Sequence, residues 1–125
     1  MKYYHIWFQN KLKKYMLVDD IDLRIHELFK QISEEKNIRL IVSGSLPDHA
    51  HLLIGLEEHQ ALSRAVMMLK GISSRRISQE FRRLKQDFRT NNFWARKYGA
   101  KEVAPEGLST SANYIRNQKK DLHIV

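Results

Sequence analysis

The order of apolar and polar positions divides the chain into short extended segments and longer helical ones. Tyr3 to Gln9, rich in aromatic and β-branched residues, predicts a first strand, and Lys11, Lys13 and Lys14 follow it in a loop. Ile21, Ile25, Leu28 and Ile32 then recur at helical spacing behind Asp19 or Asp20, either of which can cap, so an amphipathic helix is expected to about Lys36, where Asn37 ends it. Ile38 to Val42 predicts a second strand, Ser43-Gly44-Ser45-Leu46-Pro47-Asp48 a turn-rich connection, and His49 to Leu56 a third strand that pairs with the second as an antiparallel hairpin. A long helix is expected from about Gln60 to Leu84, with Leu62, Val66, Leu69, Ile72, Ile77 and Phe81 on its inner face.

Asn91-Asn92 breaks that periodicity. Phe93 to Tyr98 predicts a fourth strand with Trp94 and Arg96 on one face, and Gly99 to Gly107 a loop. The last helix is expected from about Ser109 to Leu122, where Ser109, Thr110 or Ser111 can cap. The order βαββαβ plus one helix predicts an α+β fold of the ferredoxin-like, RRM-like type: a four-stranded antiparallel sheet with two helices on one face. The other face stays available.

Strand alternation gives that open face its first candidate chemistry. In Leu46-Pro47-Asp48-His49-Ala50-His51-Leu52-Leu53-Ile54, His49 and His51 emerge on one side, while Ala50, Leu52 and Ile54 point to the other. Two imidazoles so placed can converge on one metal ion or simply pack, and the pattern alone does not choose. On the terminal helix Tyr114 and Gln118 lie four residues apart and share a face, with Arg116, Lys119 and Lys120 among its polar positions. By itself this pair also suits packing and solvation.

At 125 residues the chain is expected to form one domain spanning 1–125. A formal charge of +8 points to a polyanionic partner, nucleic acid first, and 42% hydrophobic content separates the chain from basic disordered tails. No apolar stretch approaches ~18 residues and the start lacks a signal-peptide core, so no membrane partner and a cytoplasmic location are expected. With no cysteine, thiolate metal sites and cysteine nucleophiles are excluded.

In sequence the chain resembles the single-tyrosine HUH transposases, those of the 200/605 class of insertion sequences and their repeat-associated relatives. The resemblance rests on Pro47-Asp48-His49-Ala50-His51-Leu52-Leu53, on Leu69-Lys70-Gly71-Ile72-Ser73-Ser74-Arg75-Arg76, on Phe93-Trp94-Ala95-Arg96 and on Tyr114-Ile115-Arg116-Asn117-Gln118, in the family's order and at fitting separations. It implies that Tyr114 is the nucleophile and that His49, His51 and Gln118 ligate a divalent metal, Mg2+ or Mn2+. It implies cleavage and rejoining of single-stranded DNA by transesterification through a 5′-phosphotyrosine, and a homodimer whose active sites take histidines from one subunit and tyrosine from the other. A phenol is mostly protonated at neutral pH and needs a nearby cation or a base to attack phosphorus. Two neutral imidazoles and a neutral amide leave a cation's charge uncompensated and so favour an anionic phosphodiester.

The basic outer face of the long helix supplies the expected DNA contacts. Arg64, Lys70, Arg75, Arg76, Arg82, Arg83, Lys85 and Arg89 outnumber Glu80 and Asp87 there; Lys11, Lys13, Lys14 and Arg96 join them as DNA-binding candidates, and Trp94 could stack on a base or lie in the core. Gly71 costs about 1 kcal/mol against alanine in mid-helix, which close approach of DNA or another helix would explain. Other classes fit less well. RNA recognition motifs carry aromatics where this sheet carries histidines. Histidine-triad hydrolases need a further histidine where Leu53 stands, zinc deaminases need cysteines, and two-metal nucleases want carboxylates clustered on the sheet. A domesticated or non-catalytic nucleic-acid-binding module of the same ferredoxin-like fold is the alternative.

Overall fold

The computed structural model describes residues 1–11, 19–81 and 93–124. Strands β1 (Lys2–Gln9), β2 (Arg39–Leu46), β3 (His49–Leu56) and β4 (Gly99–Val103) form one sheet in the order β2-β3-β1-β4, and every pairing is antiparallel. Helices α1 (Asp19–Glu35) and α2 (Leu62–Glu80) cover one face, and α3 (Leu108–Ile124) packs on the other. This is the expected ferredoxin-like arrangement. Among the described residues no helix is long and apolar enough to cross a membrane.

The core follows from the two periodicities meeting. Ile6 and Phe8 of β1 and Ala50, Leu52, Ile54 and Leu56 of β3 face the stripe Ile21, Ile25, Leu28, Phe29 and Ile32 of α1 and the stripe Ala65, Val66, Leu69 and Ile77 of α2, all buried. Each large apolar side chain buried there contributes about 1.5–3 kcal/mol. Asn37, at φ 57°, takes the left-handed conformation that closes α1, as an asparagine just past a helix end can.

The opposite face is thinner. Leu53, Ala112 and Ile115 are buried together, with Ile41, Val42, Val103 and Leu108 around them. A bulge in β2 sets which residues α3 meets: Leu40 pairs with Ile54 and Val42 with Leu53, so one extra residue is inserted between them. Beyond it Gly44 pairs with His51 and faces α3, while Ser43 and Ser45 turn toward α1. There His26 meets Ser43 Oγ at 2.7 Å, Ser45 Oγ at 3.0 Å and Asp22 Oδ1 at 3.2 Å, and the Ser45 hydroxyl donates to the buried Asp22 carboxylate.

The fourth strand is a correction. It lies at Gly99–Val103 rather than Phe93–Tyr98, and the segment expected as a loop supplies it. Phe93 and Trp94 are instead a plug between α2 and the sheet, their strand-type pairing among the described residues being the isolated bridge of Trp94 with Asn10. Trp94 stands edge-on to Phe8 at 4.7 Å, stacks with Phe29 at 6.0 Å and donates Nε1–H to Ser73 Oγ at 2.9 Å, so it belongs to the core. Only Ala104 and the 3-10 turn Pro105–Gly107 separate β4 from α3, in place of the expected loop of Gly99 to Gly107. The helix also begins at Leu108, so Ser109, Thr110 and Ser111 sit inside it instead of capping it.

Candidate active site

Because Ile6, Phe8, Ala50 and Leu52 face the core, alternation turns His5, Trp7, His49 and His51 to the α3 side. The register sets Trp7 opposite His51 and Gln9 opposite His49. The two strand histidines are neighbours, their rings 4.8 Å apart. His49 Nδ1 lies 2.6 Å from the Asp48 carboxylate, which can only accept, so the proton sits on Nδ1 and the lone pair is left on Nε2. This carboxylate-to-imidazole contact orients metal-ligating histidines elsewhere.

His51 is 8% exposed and shares a hydrogen bond of 2.9 Å between its Nδ1 and His5 Nε2. Burial first, then the neighbouring His49 and His5, lower its pKa from 6.5 to about 3; burial and Lys101 lower that of His5. Both rings are therefore neutral at pH 7, the form that ligates metals. His51 Nε2 is buried without a hydrogen-bond partner, and so is Oε1 of Gln118. Each such orphan costs about 1–3 kcal/mol, a cost that a cation bonded to it would remove. Among the described residues no three His, Cys, Asp or Glu side chains cluster as a metal site.

Tyr114 is 56% exposed, its ring 6.2 Å from His5 and 6.5 Å from His51. Gly44 is what lets α3 come this close. A Cβ at position 44 would stand 2.5 Å from the carbonyl oxygen of Ile115 and 2.9 Å from its Cγ2, directly across from His51. Sequence reading missed His5 and Trp7, although Ile6 and Phe8 as core residues already imply that their neighbours face the histidines.

The expected DNA-binding residues divide into three groups. Lys11, Arg64, Arg75 and Arg96 are exposed. Lys70 instead points its ammonium at the carbonyls of Ala95 and Arg96, at 2.6 and 3.0 Å, and at the ring of Tyr98, and burial lowers its pKa. Arg76 is held by Glu35 at 3.0 Å. Lys13, Lys14, Arg82, Arg83, Lys85 and Arg89 lie outside the described residues. Gly71 faces open space among the described residues, so none of the described helices requires it.

Known proteins similar to this chain share a single kind of description. The ISDra2 transposase TnpA of Deinococcus radiodurans is 27% identical over 115 residues, covering 92% of this chain and 82% of that protein. The transposase for insertion sequence element IS200 of Salmonella typhimurium is 26% identical over 118 residues, or 94% of this chain and 77% of that one. A Deinococcus radiodurans crystal structure described as a transposase superposes with a TM-score of 0.77 at 28% identity, over 94% of this chain and 92% of the other. A REP-associated tyrosine transposase bound to a REP hairpin shares the fold, with a TM-score of 0.71 at 11% identity over 99% of this chain and 70% of its own. The sequence model of the family described as transposase IS200 like matches residues 1–118, and the chain belongs to that family.

Proposed function

We propose that this transposase cleaves and rejoins single-stranded DNA by metal-dependent transesterification, with Tyr114 as nucleophile. The observation that carries the reading is the approach of the Tyr114 ring to His5 and His51 on a sheet face where His51 Nε2 and Gln118 Oε1 are buried and unpartnered. His49, His51 and Gln118 would hold a divalent ion, Mg2+ or Mn2+. When bound, it supplies Lewis-acid polarisation of the phosphodiester and a template for its oxygens.

Tyr114 Oη forms a bond to phosphorus as the bond from phosphorus to the 3′ oxygen breaks. The phenolic proton leaves to solvent and the 3′ oxygen takes one up, giving a 5′-phosphotyrosine and a 3′-hydroxyl. A second 3′-hydroxyl reverses the step and joins strands without ATP. The chain's own residues prepare this: Asp48 fixes the His49 tautomer, His5 fixes the His51 ring, and Gly44 seats the tyrosine helix. Exposed Lys11, Arg64, Arg75 and Arg96 would take the DNA backbone, and Lys13 and Lys14 are proposed with them from the sequence. The hairpin bound by the structurally similar REP-associated enzyme supports hairpin DNA as the substrate. A cytoplasmic location goes with this reading.

The test is incubation with labelled single-stranded hairpins and Mg2+ or Mn2+, followed by a denaturing gel for a covalent adduct. Tyr114→Phe should keep DNA binding and lose the adduct, and His49→Ala or His51→Ala should lose cleavage. An adduct mapping to Tyr3, Tyr4, Tyr15 or Tyr98 refutes the nucleophile. Hairpin binding without any adduct identifies a domesticated binding module instead. The shared-site homodimer that the family resemblance implies is tested by mixing His51→Ala with Tyr114→Phe protein. Sites assembled between subunits regain activity in mixed dimers. Sites formed within one chain, with α3 docked on its own sheet through Ala104 to Gly107, would each keep one lesion and stay inactive in the mixture.

A further inference from the structure

Beside His49 the sheet face carries a groove of about 500 Å³, lined by Trp7, Gln9, His49, Arg96, Lys97 and Tyr98. Its volume lies within the roughly 300–1,000 Å³ typical of small-ligand sites. Trp7 forms one wall and is 37% exposed, unusual for an indole in the middle of a strand. Its ring is held in place rather than loose. It lies across the Cα of Gly99, where any Cβ would overlap Nε1 and the six-membered ring, and it faces His51 at 6.3 Å with 22° between the planes. The catalytic reading gives Trp7 no role.

We infer that Trp7 is the stacking platform for an unpaired base next to the scissile phosphodiester, with Arg96 and Lys97 at the groove's rim meeting the adjoining phosphates. The inference rests on the proposed function, since a groove running up to His49 must receive whatever flanks the phosphate held there. An aromatic face accepts any base, and cations beside it match a phosphate backbone, which together define a site for single strands. A base paired in a duplex offers no free face to the indole, so the same wall also discriminates against duplex DNA at the cleaved step.

The experiment compares wild-type protein binding to (dT)20 with its binding to a 20-residue abasic deoxyribose phosphate oligomer, equal in charge but without bases. Neither metal nor cleavage is needed, so the result is independent of the covalent adduct. Failure of the adduct assay removes the proposed chemistry, whereas failure here removes only the platform. Stacking on Trp7 is expected to favour (dT)20 by about tenfold, Trp7→Ala to reduce that preference to about twofold or less, and Trp7→Phe to retain most of it. Only (dT)20 should quench tryptophan emission, and the quenched component should vanish in Trp7→Phe, where buried Trp94 alone remains. An undiminished preference in natively folded Trp7→Ala overturns the proposal. If that variant does not fold, quenching that persists in Trp7→Phe overturns it equally.

Discussion

Replacing Gly44 by alanine tests how the tyrosine reaches the histidines. The new Cβ would stand 2.5 Å from the Ile115 carbonyl oxygen, a backbone atom that cannot swing aside, and 2.9 Å from Ile115 Cγ2. Relief requires α3 to lift by the order of an ångström. Overpacking of this kind costs about 1–3 kcal/mol. The cost falls on α3, because among the described side chains its buried anchors are Ala112, Ile115 and Gln118, while the core formed by α1 and α2 lies across the sheet. Amide exchange read residue by residue should therefore show protection in α3 falling by about 5- to 150-fold, with β1 and β3 unchanged. A displacement of ~1 Å at a reacting group can cost on the order of 10²-fold in rate, so adduct formation should fall steeply while hairpin affinity changes little. Gly44→Val should be worse on both counts. Wild-type protection and cleavage in Gly44→Ala would refute the claim that this contact seats the nucleophile.

Three further outcomes are expected. Histidines of the unfolded chain titrate near 6.5, whereas His51 in the fold is held at about 3, so protons bind the unfolded state preferentially between those values and stability falls as pH drops through that window. The slope reaches about 1.4 kcal/mol per pH unit from this group, with His5 adding to it, and urea unfolding in EDTA at pH 7, 6 and 5 reads it; a flat profile contradicts a buried neutral pair. Asp48→Ala should weaken Mn2+ binding about 10- to 100-fold by calorimetry through loss of the His49 orientation, and unchanged affinity would remove His49 from the ligand set. Arg75→Ala should reduce the slope of log affinity against log salt by about 0.7 for single strands, and Arg76→Ala by less because Glu35 already holds that guanidinium; equal effects would place the DNA differently.

Strands with one buried face were legible in the sequence. His49 to Leu56 alternates around a packed side, and β3 occupies that span. The α1 stripe was equally plain. β4 was hidden because Lys101 and Glu102 leave it polar, as an exposed edge strand is, whereas the aromatics of Phe93 to Tyr98 advertised a strand and serve as a core plug. Misplacing that strand also turned a short connection into a long loop, and with it the expected reach of the tyrosine helix. That His49 and His51 share a face was legible from strand alternation, but the contact of Gly44 with α3 was not. It depends on a bulge that only pairing reveals.

The polar group of Asp22, His26, Ser43 and Ser45, on the side of the sheet away from the histidines, acts as a lock against strand slippage. If β2 paired one position out of step, Ser43 and Ser45 would turn under α3, and Gly44 would turn toward α1. Asp22 and His26 would then lose the Ser43 and Ser45 hydroxyls, each a hydrogen bond worth about 0.5–1.5 kcal/mol. The competing register is thus disfavoured by residues that touch neither the histidines nor the tyrosine. Substitutions at Asp22 or Ser45 would be expected to yield folded chains in mixed registers, active only in the fraction whose glycine still lies opposite His51.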